Sequence, residues 1–177
     1  MNEKLKFRLP TAEDAAEYIS YRQAFLDAGS SMDGTGPMRR TPDPMEWLAI
    51  NAQYADPATV PEGKVQSTQF VCERVSDGRI VGMLQVRLAL NDFLLHYGGH
   101  IGYSVRPAER QHGYAIQMLR LTLEKAREHG IEKVRICCDH YNVASVKTIR
   151  ANGGVLEDEC FDSSDGTLTQ RYWIQNK

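Results

Sequence analysis

An α/β (α+β) fold is predicted, with a mixed, mostly antiparallel central sheet and helices on both of its faces. Three features of the chain say so. Ser67 to Val75 and Arg79 to Leu90 are strand-like runs joined by Ser76-Asp77-Gly78, a hairpin signal. Between Gly98 and Ala126 a third strand-like run enters a glycine-containing turn that opens a helix. A second hairpin closes the chain, formed by Val155 to Phe161, the turn Ser163-Ser164-Asp165-Gly166, and Thr167 to Ile174. With 177 residues, 42% hydrophobic and 25% charged, the chain reads as one globular domain, residues 1–177, able to bury a core without disulfides.

The elements follow in order. Leu5 to Leu9 is a short strand ended by Pro10. Thr11-Ala12-Glu13-Asp14 reads as a cap with acids in the first turn, opening a helix to about Ala28, with Gly29 as its stop. Residues 30 to 43 hold turn signals and no periodicity, so a loop is expected. A second helix starts with Asp43 as cap and Pro44 at its first position, and fades after Tyr54. Ala55 to Gln66 is irregular again. Two long loops framing a short helix point to function or mobility, and Met32, Asp33, Met38, Arg39, Arg40, Trp47 and Tyr54 are the residues to follow there. In the Arg79 to Leu90 strand, Ile80, Gly82, Leu84, Val86 and Leu88 form an apolar face, opposite Val81, Met83, Gln85 and Arg87 on a mixed one. After a connector from Asn91 to Gly98, His100 to Val105 is a strand, Ala115 to His129 a helix, Lys133 to Asp139 a buried strand, and Asn142 caps a helix through Ala151.

Charge and cysteine content exclude several classes. A net charge of −2 gives no electrostatic reason to expect nucleic acid or an acidic membrane as partner. The N-terminus MNEKLKFRLP is too polar for a signal peptide and no run reaches transmembrane length, so a cytoplasmic location is expected. Cys72, Cys137, Cys138 and Cys160 fall inside predicted strands without zinc-ligand spacing, which reads as free thiols and no metal. Residues near Tyr172 and Trp173 of the last strand have two readings, an exposed edge that would pair across a homodimer or part of the core.

The chemistry-bearing stretch is Arg110-Gln111-His112-Gly113-Tyr114-Ala115. The first N–H groups of a helix lack intrahelical partners and sit at the positive end of its dipole, so a turn delivering several together suits a pyrophosphate. Backbone amides recognise phosphate whatever the side chain, which fits the varied residues in this run. No Rossmann GxGxxG and no P-loop Gly-Lys-Ser/Thr is present.

This run resembles motif A of the GNAT-type N-acetyltransferase superfamily: Gln or Arg, two residues, Gly, one residue, then Gly or Ala, filled by Arg110, Gly113 and Ala115. The resemblance continues through Asp139, Asn142 and Asn152-Gly153-Gly154, and through the order of elements on both sides. It implies an acyl-CoA N-acyltransferase-like fold with acetyl-CoA as cosubstrate. The strands Ile101 to Val105 and Val134 to Cys138 would splay apart and pair the pantetheine arm with main chain such as that of Val105. The pyrophosphate would lie on amides from Gln111 to Ala115, with Arg110 near it and Arg106 adding charge, and Asn142 would face the cofactor arm. The reaction implied is direct attack by a primary amine of a small molecule or peptide on the thioester.

Departures from the family pattern bear on catalysis. Seven residues after Asn142, where many members carry an acidic tyrosine, stands Ile149, and the glutamate some relatives use as base is replaced by Gly98, Gly99 and His100. His100 has a suitable unperturbed pKa for the base. Tyr103, Tyr141, Tyr97 and Tyr172 are substitutes for the acid, Tyr141 favoured for its place beside the helix cap. The vacant tyrosine position also keeps open a non-catalytic CoA-binding sensor or scaffold on the same fold.

Overall fold

The computed structural model describes residues 3–163 and 165–177; the first two residues, and Ser164 of the final turn, lie outside them. Strand β1 (Leu5–Arg8) is followed by a 3-10 turn (Ala12–Asp14), helix α1 (Ala15–Asp27) and helix α2 (Pro44–Ala55). Then come β2 (Ser67–Arg74), β3 (Ile80–Arg87), β4 (Ile101–Val105), helix α3 (Tyr114–Glu128), β5 (Lys133–Asp139), α4 (Val143–Ala151), β6 (Val155–Asp162) and β7 (Thr167–Gln175). Every strand expected from the sequence forms, within a residue or three of its expected ends. The connector before β4 holds a π-helical turn, Leu94–Gly98, that its sequence did not announce.

The central sheet is divided. Strands β1-β2-β3-β4 make one antiparallel sheet and β5-β7-β6 another. The two meet at a bridge between Gly99 and Ile136 and at the bond from the His100 N–H to the Arg135 carbonyl, 2.8 Å. Strand β7 lies between β5 and β6, and Tyr172 is fully buried, so of the two readings for this stretch the core one holds and the dimer edge does not; the free edge belongs to β6. A hairpin can place either of its strands outermost, and the pairing of β7 with β5 decided it.

Two apolar cores cover the two faces of the first sheet. On one face Met118, Leu119 and Leu123 of α3 meet Leu84, Val86 and Ile101, and this core continues under the second sheet through Val134, Ile136 and Tyr172. On the other, Tyr18, Tyr21 and Phe25 of α1 and Trp47 of α2 pack on Val71, Ile80 and Met83. Burying a side chain of this size contributes about 2–3 kcal/mol each. Arg106 crosses between layers, its guanidinium bonding Glu17, Ser20 and the Ile80 carbonyl, with the Tyr21 ring 5.2 Å away. It therefore serves the α1 contact and is turned inward, away from the position beside the phosphate turn.

The loop between α1 and α2 is held at many points. Met32 and Met38 enter the second core, Trp47 donates its indole N–H to the Thr35 carbonyl at 2.7 Å, and Arg22 reaches the carbonyls of Met38 and Arg39. Gly34 lies so close over β4 that a Cβ there would sit 2.3 Å from the Gly102 carbonyl oxygen. Of the residues marked for function in this region, Met32, Met38 and Trp47 are thus packing residues, while Asp33, Arg39 and Arg40 are exposed.

Candidate active site

The split between β4 and β5 follows from local geometry. Gly99, in left-handed conformation, lets its backbone approach Arg135, where a Cβ would lie 2.6 Å from the carbonyl oxygen. Beyond that apex the described residues of β4 and β5 share no ladder, so the inner edges of Ile101–Val105 and Cys137–Asp139 face an opening. Side-chain contact spans from β4 to α4, where the Tyr103 hydroxyl meets Ser145 Oγ at 2.8 Å.

At the open end of β4, Val105 is followed by a 3-10 turn (Pro107–Glu109) and the run Arg110 to Tyr114. Gln111 has φ 67° and Gly113 φ 78°, two left-handed residues that fold the chain back into the start of α3. No side chain caps that helix, and among the described residues no group accepts from the backbone N–H of Gln111, His112 or Gly113. Space around Gly113 is open, with no protein atom within 4 Å of a Cβ built there. The result is a cluster of free amides at the positive end of a 15-residue helix, beside the mouth of the split.

Side chains of the turn are used differently. Tyr114 is buried against Arg74, so only its main chain faces the mouth, and Ala115 is half-buried. His112 is exposed, with Nδ1 3.1 Å from the Glu109 carbonyl and its ring stacked on Tyr114. Arg110 turns toward the α1–α2 loop: it donates to Ser30 Oγ at 2.8 Å and to the Val105 carbonyl at 3.3 Å, over the Phe25 ring. Asn142 caps α4, accepting from the Ser145 N–H at 3.1 Å.

His100 sits at the apex, 8% exposed. Its Nδ1 accepts the Arg135 N–H at 2.9 Å, which fixes the neutral ring with its proton on Nε2. Burial, and then the charges of Arg87 and Arg135, lower its pKa to about 4. Arg87 reinforces the same apex by donating to the Gly98 and Gly99 carbonyls.

The tyrosines separate clearly. Tyr141 is 81% exposed and is oriented through its backbone N–H, which donates to Asp139 Oδ1. Tyr103 is half-buried between β4 and α4, and burial pushes its phenol up to about 12, so it stays a protonated donor at any physiological pH. Tyr172 is in the core with its hydroxyl on Gln170, and Tyr97 packs against Phe93 in the π-helical turn. Ile149 is fully buried under Gly154, so the family's acid position is occupied by core. All four cysteines are free; Cys72 and Cys138 are buried, Cys137 and Cys160 half-buried.

Missed from the sequence was a polar row on the α1–α2 side of the first sheet. Gln69 of β2 pairs with Gln85 of β3, which pairs with Gly102 of β4. The only sequence signal was polar residues interrupting strands of otherwise apolar composition.

A split antiparallel sheet with unpaired helix amides at its mouth defines an acyl-CoA N-acyltransferase fold. The family model described as Acetyltransferase (GNAT) domain matches residues 4–155, and the chain belongs to that family. Solved structures with the same fold include the ribosomal-protein-S5-alanine acetyltransferase from Vibrio fischeri (17% identity, 99% of this chain and 94% of that one, TM-score 0.75). Another is Mycobacterium smegmatis RimJ in complex with CoA-disulfide (19% identity, 97% and 81% covered, TM-score 0.71). A third is a spermidine N-acetyltransferase SpeG chimera from Vibrio cholerae and hSSAT (14% identity, 97% and 95% covered, TM-score 0.66). No curated protein sequence matches the chain. Among the described residues, no helix is long and apolar enough to cross a membrane.

Proposed function

We propose that this chain, acting as one domain, transfers the acetyl group of acetyl-CoA to a primary amine of a small molecule or peptide. The observation that carries the reading is the set of free amides at Gln111 to Gly113, placed at the open end of the β4–β5 split. The pyrophosphate would rest on those amides and on the first turn of α3 from Tyr114 to Ala115, and the pantetheine arm would run between Val105 and Asn142. Acetyl-CoA supplies the activated carbonyl. The similar structures named above include a ribosomal-protein-S5-alanine acetyltransferase and a spermidine N-acetyltransferase chimera, so the fold itself leaves the acceptor open.

For transfer, the incoming ammonium loses a proton and the departing sulfur is best left beside a donor. His100 already spends one nitrogen on Arg135 and is weakly basic at a pKa of about 4, so we assign it to holding the apex, with proton removal through water. Tyr103, protonated and inside the split, is the acid this geometry favours over the exposed Tyr141.

CoA should raise the melting temperature with the logarithm of its concentration above Kd. Gly113→Trp should abolish that rise, because the new side chain leaves the backbone in open space beside the amides, where its Cβ meets no protein atom within 4 Å, and crowds the phosphate. An undiminished rise in the variant refutes the phosphate assignment. The buried Ile149 at the acid position favours a second reading, a CoA-binding sensor. Thiol release from acetyl-CoA with a broad amine panel separates the two: stabilisation without turnover means the sensor.

A further inference from the structure

The polar row across β2, β3 and β4 leads to a cluster of side-chain amides whose hydrogen-bonding groups are left over from folding. Gln69 is 3% exposed and its amide nitrogen donates to the carbonyls of Gly34 at 2.8 Å and Leu84 at 2.9 Å, with that of Phe70 sharing a hydrogen at 3.2 Å. Three acceptors on one side settle which end of the amide is nitrogen, and its Oε1 is left buried with no partner. Asn51 of α2 is fixed in the same way: Nδ2 donates to the Trp47 carbonyl at 2.9 Å, directing Oδ1 elsewhere. Gln85 is 8% exposed, and among the described residues its side-chain amide has no partner at all. The three converge beside Gly36. A single point, the place of a Cβ on Gly36, lies 2.9 Å from Asn51 Oδ1, 3.6 Å from Gln85 Nε2 and 3.7 Å from Gln69 Oε1.

Gln69 Oε1 is buried without a partner, which costs about 1–3 kcal/mol, and beside it Asn51 Oδ1 and the whole Gln85 amide bond no protein group among the described residues and are within reach of a solvent-sized molecule. Something hydrogen-bonds here. The location says what. Gln85 stands directly across from Gly102 on the β4 strand that bounds the split, and the outer side of Gly36 forms part of an open hollow of about 600 Å³ with Asp33, Arg39 and Arg40 on its rim. The amide cluster thus lies between the solvent-facing loop and β4, on the face of the sheet opposite α3.

We propose that Gln85, Gln69 and Asn51 form a specificity subsite for the acceptor, which holds a neutral hydrogen-bond donor of that molecule, a hydroxyl or carboxamide carried on the same chain as the reacting amine. Two carbonyl oxygens accept hydrogen bonds without neutralising a full charge, so the subsite favours such a group over a methyl and over a second ammonium. This assignment rests on the acetyltransferase reading and narrows its substrate to hydroxylated or amide-bearing amines.

The experiment uses the CoA-saturated protein, labelled with nitrogen-15, and a series of ω-amino alcohols, each against the n-alkylamine of the same length. The side-chain NH2 signals of Gln85, assigned by their loss in Gln85→Met, should move with at least one amino alcohol and stay in place with its alkylamine partner. An equal response to both series, or none at saturating probe, shows that the amides enclose a structural water and overturns the proposal. In turnover, wild type should prefer that amino alcohol by about tenfold in kcat/KM, the worth of roughly one buried hydrogen bond, and Gln85→Met should bring the ratio near one through KM. Gln85 gives no bond to the protein, so the variant should melt no lower than wild type and respond to CoA unchanged; a large fall in melting temperature speaks for a water-bound structural role and against the subsite. If no amine releases thiol from acetyl-CoA while the Gln85 signals still discriminate, the transfer reading fails and the binding subsite stands.

Discussion

Gly34 and Gly113 share a left-handed backbone, φ 71° and 78°, and differ in everything around them. At Gly34 the missing side chain makes room for the protein's own β4, with the Gly102 carbonyl where a Cβ would be. At Gly113 it leaves room for something that is not protein. The first belongs to a loop welded onto the sheet through methionines, Trp47 and buried amides; the second to a turn whose unpaired groups are main-chain N–H. One region is built from side chains gathered across the sequence, the other from the conformation of six consecutive residues, and stability and ligand binding should respond to the two in opposite ways.

The matched pair Gly34→Ala and Gly113→Ala tests this most strongly. Both variants carry the cost of a side chain in left-handed conformation, about 1 kcal/mol. Gly34→Ala adds a collision with backbone that no rotamer relieves, so denaturant unfolding should show a loss of about 3 kcal/mol or more. Gly113→Ala should stay near the conformational cost alone and lose much of its stabilisation by CoA. Equal losses in both would mean that the loop gives way over Gly102 and that the two regions are not distinct in rigidity.

The same contrast explains what could be read from the sequence. Arg110, Gly113 and Ala115 are close in sequence and their chemistry is backbone chemistry, so spacing was enough to mark the turn, and hairpin signals and caps such as Asp43 and Asn142 placed the elements around it. Gln69, Gln85 and Asn51 come together only through the register of β2 with β3 and the docking of α2, which no local pattern encodes. Gln85 reads along the chain as one polar residue on a mixed strand face. The division of the sheet at Gly99 and the inner position of β7 likewise depend on which strands find each other, and the Arg110 side chain, expected near phosphate, was drawn off by Ser30, eighty residues away.

A smaller effect sharpens the contrast at the apex between the two regions. His100 is neutral in the folded protein down to about pH 4 but takes up its proton near 6.5 when unfolded. The unfolded chain binds more protons between those values, so stability is complete above 6.5 and falls as pH drops toward 4, by about 3 kcal/mol. Asp14, held down to about 2 by Arg8, loses its contribution in a separate window, as pH falls from 3.8 toward 2. His100→Asn, which keeps an acceptor for the Arg135 N–H and cannot titrate, should flatten the upper step in urea midpoints measured across pH and leave the lower one. An unaltered upper step would assign it to another group. CoA stabilisation at neutral pH should persist in this variant, since the amides of Gln111 to Gly113 are untouched.

The smallest expected change concerns the one side chain that joins the two regions. Arg110 belongs by position to the phosphate turn and by contact to the loop, through Ser30 Oγ and the Phe25 ring. It is exposed, and an exposed cation–π contact with one hydrogen bond is worth about 0.5–1 kcal/mol, so Arg110→Ala should lower stability by no more than that. If the guanidinium keeps to the loop when CoA binds, Kd for CoA should rise less than about threefold, its salt dependence should match wild type, and the larger change should fall on acceptor KM, because Ser30 anchors the segment that carries Gly34 and Gly36 over the buried amides. A phosphate role predicts the reverse: a Kd weakened about tenfold or more, a shallower dependence on salt, and an acceptor KM left alone. Measuring both constants in one variant therefore decides whether the turn and the loop are independent sites or one site linked by a single arginine.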